Sequence, residues 1–70
     1  MIPRMTINEY DSFERKMNSS IRDLFLQNES KYNLIRFILY KIPHSNYYEY
    51  YLRTSNKREI IKIILELIKL

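Results

Sequence analysis

The chain has 70 residues, a net charge of +4, one histidine, and neither cysteine nor glycine. This composition excludes several classes of protein. The chain cannot form a disulfide, a thiolate metal site or an imidazole cluster. The absence of glycine disfavours phosphate-binding loops and tight hairpins, which need positive φ. The composition therefore predicts one all-α domain over residues 1–70, a bundle of three to four short helices whose marginal core is completed by dimerisation.

The first predicted helix covers residues 6–27 and begins with a capping box, in which Thr6 is the N-cap and Glu9 stands three residues later. Apolar residues at spacings of three and four form one stripe along it, which indicates an amphipathic helix. The stripe contains Tyr10, Phe13, Met17, Ile21 and Leu24, with Ile7 and Phe25 at its edge. Asn18, Ser19 and Ser20 lower the helix propensity, but we expect the helix to continue through them.

The second predicted helix covers residues 31–42 and follows a polar break in which Ser30 is the expected N-cap. It ends before Pro43, because proline disfavours the helical conformation in the residue that precedes it. Apolar residues cover most of its circumference and leave mainly Asn33 and Arg36 facing water, so we expect it at the centre of the domain. A strand is the competing prediction, since the segment is rich in Ile, Phe and Tyr.

A turn at residues 43–46 leads to a third predicted helix, residues 46–53, capped by Ser45 or Asn46. A fourth covers residues 56–70 and is capped by Ser55 or Asn56. Its apolar residues span roughly 220° at about 100° per residue, twice what a monomer's surface helix needs. We therefore predict that this helix packs on two sides. Three residues lie beyond one core face and are predicted to make the homodimer contact: Ile61, Leu65 and Ile68.

Tyrosines are concentrated in the third predicted helix, at Tyr47, Tyr48, Tyr50 and Tyr51. Tyrosine buries a large apolar ring while its hydroxyl stays hydrated, and it is enriched at protein interfaces. We predict that these residues bind a protein partner. Two alternatives stay open: the rings pack under the domain, or they stack on bases beside the cations of Arg36, Lys41 and Arg53.

No combination of residues predicts catalysis, a metal site or a cofactor. His44 is the only imidazole and follows Pro43, so a turn residue is the simpler interpretation. The carboxylates of Glu9, Asp11 and Glu14 stand at the start of the first predicted helix, where acidic residues favour the helix dipole. We expect a protein that is not an enzyme and has no small-molecule substrate.

The positive charge belongs to the second half of the chain, where residues 31–70 carry eight basic and three acidic side chains. The third and fourth predicted helices have the outline of a helix-turn-helix. Its candidate DNA contacts are Lys57, Arg58, Lys62 and Arg53. Glu59 and Glu66 oppose that interpretation, because they lie among the basic residues and would repel phosphates.

The sequence thus predicts a small, non-catalytic regulator or inhibitor that binds a macromolecular partner, a protein before DNA. A helix-turn-helix-like DNA-binding regulator is the alternative. The first residues lack the apolar region of a signal peptide, and the apolar C-terminal segment is too short and too charged to span a bilayer. We expect a cytoplasmic protein. The many Ile, Lys, Asn and Tyr residues are typical of a low-GC genome and suggest a phage, virus or plasmid accessory protein in the host cytoplasm.

Overall fold

Five α-helices and no strand make up the regular structure of residues 2–42 and 45–69, the part of the chain that the computed structural model describes. The helices are α1 (Ile7–Met17), α2 (Arg22–Asn28), α3 (Lys31–Lys41), α4 (Asn46–Thr54) and α5 (Lys57–Ile68). The all-α prediction is confirmed, and the competing strand at residues 31–42 was wrong. The predicted turn at Pro43 and His44, and the predicted end of the last helix at Leu70, lie outside the described residues.

Polar side chains cap the starts of α1, α3, α4 and α5, largely as the sequence predicts, whereas α2 follows Ile21 without a side-chain cap. The capping box of α1 is complete: Thr6 Oγ1 accepts a hydrogen bond from the Glu9 N–H, and Glu9 Oε1 accepts one from the Thr6 N–H at 3.0 Å. The caps of α3, α4 and α5 are Ser30, Ser45 and Asn56. Each accepts a hydrogen bond from the backbone N–H three residues later, which satisfies one of the free donors at the helix start.

The single helix predicted over residues 6–27 was wrong, because α1 ends at Met17 and α2 begins at Arg22. At the break, Ser19 Oγ donates a hydrogen bond to the Lys16 carbonyl at 2.7 Å, a local bond of the kind that competes with helix continuation. Because of the break, α2 presents a different face to the core than a continuous helix would. Leu26 is buried as a result, whereas Leu24, which the continuous stripe would have turned inward, is 61% exposed.

The core lies around α3, which alone supplies five buried apolar residues: Leu34, Ile35, Phe37, Ile38 and Leu39. Residues from every other helix and from the segment before α1 complete the cluster: Met5, Phe13, Met17, Leu26, Leu52, Ile60 and Ile64. The central position predicted for this helix is therefore confirmed. Only the Ile60–Ile64 face of α5 is fully buried, and the rest of its wide apolar arc stays half-buried.

Candidate interaction surfaces

The exposed face of α4 is formed by tyrosine rings. Tyr47 is 81% exposed, Tyr50 65% and Tyr51 45%, and we call these three residues the tyrosine surface. At about 100° per residue they span an arc of about 100° on one side of the helix. Glu49 and Leu52 occupy the opposite, buried side. The alternative in which these three rings pack under the domain was therefore wrong.

Tyr48 differs from its three neighbours in the predicted partner-binding set. Its ring is half-buried against the core and is stacked on the ring of Tyr51, with the centroids 6.1 Å apart. Burial, and to a smaller extent the neighbouring Tyr51, raise the pKa of the Tyr48 phenol. Tyr48 thus supports the tyrosine surface from beneath and presents less of its ring to a partner.

The carboxyl group of Glu49 points inward rather than toward solvent. The residue is 7% exposed, and its Oε1 accepts a hydrogen bond of 2.6 Å from the Ile2 N–H, 47 positions earlier in the chain. Glu49 is the one acidic residue in α4. The outer face of this helix therefore presents aromatic rings and the basic Arg53, with no exposed carboxylate among its own residues.

Arg53 lies between two shallow concavities at the end of α4. One, of about 350 Å³, is lined by Tyr32 and Lys31 among others, and the other, of about 250 Å³, by Asn46, Tyr50 and the largely buried Glu49. Within residues 2–42 and 45–69, no carboxylate lies at ion-pair distance from its guanidinium group. Arg53 therefore adds an available positive charge beside the tyrosine surface.

Two of the three cations proposed as neighbours of a base-stacking platform, Arg36 and Lys41, are already engaged. Arg36 forms a two-pronged ion pair with Glu9, at 2.9 and 3.1 Å, and also donates to the carbonyls of Pro3 and Arg4. The hydrogen bonds from Arg36, followed by those from Thr6, lower the pKa of Glu9 to about 2. The prediction that Arg36 faces water was wrong, since it ties the N-terminal segment to α1 and α3.

Lys41 is likewise engaged at the C-terminal end of α3. Its ammonium group donates to the Tyr10 hydroxyl at 3.2 Å and lies 3.9 Å from a Glu14 carboxylate oxygen. The Tyr10 ring is stacked between Tyr40 and Phe37, at 4.3 and 5.4 Å. Burial, then the hydrogen bond to Glu14, raise the pKa of the Tyr10 phenol. Neither Arg36 nor Lys41 is thus free to contact phosphates beside stacked bases.

A second candidate surface is the open groove between α2 and α5, of about 460 Å³. Its apolar lining consists of Leu26, Ile61 and Leu65, and the last two are half-buried. Ile61 and Leu65 were predicted to make the homodimer contact. Ile68, the third residue of that set, instead lines a different concavity, which lies beside Met17 and Phe37. The structure therefore brings two of the three predicted self-association residues into one open surface.

The residues predicted to bind DNA are not equivalent. The Lys57 ammonium group donates to the Gln27 carbonyl at the end of α2 and so joins the two walls of the groove. Arg58 and Lys62 are exposed on α5. Arg53 lies on α4 beside the tyrosine surface, in a different concavity from Arg58. Lys57 would have to give up its carbonyl partner to contact a phosphate.

Sequence reasoning missed two exposed apolar residues, Leu24 in α2 and Ile21 immediately before it. Ile21 is 55% exposed and Leu24 61%, although both belong to the predicted inward stripe of the first helix. The signal for them was the Asn18-Ser19-Ser20 segment, which could have been taken as a helix break rather than as a weak helical stretch. Asp23, which lines the groove opposite α5, was missed for the same reason.

Within residues 2–42 and 45–69, no three side chains of His, Cys, Asp or Glu are grouped so that they could hold a metal ion. No helix in this part of the chain is long and apolar enough to cross a bilayer.

Comparisons with known proteins give no family to which the chain can be assigned. No protein-family model matches the sequence, and neither a curated protein nor a solved structure is significantly similar to it.

Proposed function

We propose that this protein is a small, non-catalytic regulator or inhibitor that acts by binding a protein partner through the tyrosine surface. The observation that carries the proposal is the exposure of Tyr47 and Tyr50, 81% and 65%, on one face of α4. Clustered exposed aromatic rings are costly to leave in water, and they resemble the residues that dominate binding energy at interfaces.

The charge around these rings indicates the character of the partner. Glu49 is buried against the Ile2 N–H, and Arg53 has no ion-pair partner among the described residues. A neutral or acidic surface with apolar pockets would complement this face, and the positive charge would speed its encounter with such a partner.

The experiment that tests this function is affinity capture from the native host with three forms of the protein. They are the wild type, the Tyr47→Ala/Tyr50→Ala variant, and Ile7→Ala, which removes an equally exposed apolar side chain from α1. We expect a protein that is retained by the wild type and by Ile7→Ala, resists nuclease treatment and is lost with the double tyrosine variant. Purified partner then allows the dissociation constant to be measured by calorimetry. The proposal is wrong if the tyrosine and Ile7 variants bind the partner equally.

DNA binding is the second candidate, and the exposed side chains of Arg58 and Lys62 favour it. It predicts a different result in the same experiment. Captured material would be lost after nuclease treatment, and Arg58→Ala/Lys62→Ala would weaken binding and reduce its dependence on salt concentration. The Tyr47→Ala/Tyr50→Ala variant would then bind as the wild type does.

We also propose that the chain forms a homodimer. The half-buried Ile61 and Leu65 support this, because they line an open apolar groove in a chain too small to build a large core alone. Sedimentation of the wild type at micromolar concentration tests it, and a folded monomer at all concentrations would contradict it.

A further inference from the structure

The groove between α2 and α5 has opposite charges at its mouth. Asp23 lines it from α2, Lys57 and Arg58 line it from α5, and the apolar lining is formed by Leu26, Ile61 and Leu65. The Lys57 ammonium group joins the two helices through the Gln27 carbonyl, so the walls of the groove are already in place in one copy of the chain. A ligand surface with an apolar centre and both charges would fit this site.

The two charges at the mouth are available to a partner. Asp23 and Arg58 do not pair with each other within the chain, although both line the same groove. Among the basic side chains of residues 2–42 and 45–69, only Arg22 lies at ion-pair distance from Asp23, at 4.0 Å. That pair is exposed enough to contribute little stability. Over the described ranges, Arg58 lies at ion-pair distance from no carboxylate.

An exposed apolar side chain lies next to the groove on the same helix. Leu24 is 61% exposed and stands three positions before Gln27, another residue of the groove lining, so the two occupy neighbouring positions on α2. Ile21 extends this apolar face and is 55% exposed. One copy of the chain therefore carries both an apolar projection and, beside it, an apolar recess.

We propose that the occupant of the groove is a second copy of this chain, related by a two-fold axis. Leu24 of each copy enters the groove of the other and packs near Ile61 and Leu65. Asp23 of each copy pairs with Arg58 of the other. A two-fold contact uses the same patch on both copies, so each contact occurs twice. The proposal rests on the homodimer proposed above and identifies its contacts.

A second copy fits better than an unrelated protein because the same surface of the chain carries the groove and the groups that could fill it in a partner copy. The groove is lined by acidic Asp23 and by basic Lys57 and Arg58, and Lys57 is already bonded to the Gln27 carbonyl within the chain. A copy turned by a two-fold axis presents Asp23 and Arg58 in exchanged positions. The apolar projection and the recess are likewise exchanged. Any other partner would need to supply the same pattern independently.

The test exploits this reciprocity through two charge-reversal variants, Asp23→Arg and Arg58→Asp. Each variant alone places like charges at both ionic contacts of the dimer, and we expect its dissociation constant to rise about tenfold or more. In an equimolar mixture of the two variants, both contacts of the mixed dimer join opposite charges again. We expect this mixture to dimerise within about threefold of the wild type, as measured by analytical ultracentrifugation.

Matched control variants distinguish the loss of the ionic contact from the effect of a changed net charge. Asp11→Arg and Arg15→Asp make the same charge changes at exposed positions of α1 outside the groove. We expect each of these two variants to dimerise with the dissociation constant of the wild type. Leu24→Lys should weaken the dimer as strongly as the charge reversals, whereas Ile7→Lys, at an equally exposed position, should not. Circular dichroism of each variant should show the helix content of the wild type.

Three results would overturn the proposal: a monomeric wild type, single charge-reversal variants that dimerise normally, or a mixture that fails to recover association. A monomeric wild type would contradict the homodimer as well as its proposed contacts. The other two results would contradict only the contacts and would be compatible with a homodimer formed in another way. The protein-binding function is read separately, from the Tyr47→Ala/Tyr50→Ala experiment, so its failure does not affect these measurements.

Discussion

Leu24 and Leu26 stand two positions apart on α2 but are exposed to very different degrees, 61% and 1%. A continuous helix over residues 6–27 would place Leu24 in the buried stripe with Phe13 and Met17, and would turn Leu26 away from it. The break between α1 and α2 reverses this order. Replacing each leucine by alanine therefore tests the break directly, with the other position as the matched control.

The expected magnitudes differ severalfold. Leu→Ala at a fully buried site costs about 2–5 kcal/mol, which combines lost transfer free energy with the cavity left behind. Complete burial of a leucine is worth about 1.5–3 kcal/mol, and Leu24 has lost only about two fifths of its exposure, so Leu24→Ala should cost about 1 kcal/mol or less. A domain of this size has about 4–10 kcal/mol of total stability, so Leu26→Ala removes a large share.

The assay is urea unfolding followed by circular dichroism. With a slope of about 1 kcal/mol per molar urea for a small domain, Leu26→Ala should lower the midpoint by about 2 M or more, and Leu24→Ala by about 1 M or less. The curves should be recorded at several protein concentrations, because dimerisation adds a concentration-dependent contribution that Leu24→Ala would remove. Equal shifts at low concentration, or a larger shift for Leu24→Ala, would refute the break and the rotation of α2.

Two further predictions follow from the ionisable groups. Because the folded-state pKa of Glu9 is about 2 against an ordinary value of 4.5, its pairing with Arg36 stabilises the protein above pH 4.5 and is lost as the pH falls toward 2. The wild-type melting temperature should fall more steeply over this window than that of Glu9→Gln, and parallel curves would contradict the role of the pair. The pKa of Tyr10 is raised by burial and by its bond to Glu14, so Tyr10→Phe should remove one late-ionising phenol from an ultraviolet alkaline titration, and an unchanged late phase would count against it.

The helix starts were predictable because they depend on neighbours within three residues. Thr6, Ser30 and Asn56 act as caps through bonds to backbone groups three positions on, and a local pattern is enough to recognise them. The central position of α3 was also predictable, since a helix that is apolar over most of its circumference is stable only when surrounded. Which side of α4 faces water could not be decided from the sequence, because both of its faces carry large or polar groups. In the structure the Glu49 side is buried, and Glu49 accepts a hydrogen bond from the Ile2 N–H.

Long-range bonds explain most of what sequence reasoning missed at the candidate surfaces. Arg36 reaches Glu9 across 27 positions, Lys41 reaches Tyr10 across 31, and Lys57 reaches Gln27 across 30. Each was predicted as a free or DNA-facing cation, because no local spacing indicates a partner so distant. The break after α1 has a mixed origin, in which Ser19 supplies a local signal and the packing of Leu26 fixes the outcome.

The segment before α1 acts as a strap across the helices that follow it. Its backbone carbonyls at Pro3 and Arg4 accept bonds from Arg36 on α3, and its N–H at Ile2 is the hydrogen-bond partner of the buried Glu49 carboxyl group on α4. Removal of these few residues would leave that carboxyl group without its backbone partner beneath the tyrosines. A protease that trims this strap would therefore loosen α4 and alter the tyrosine surface, without cutting any residue of that surface.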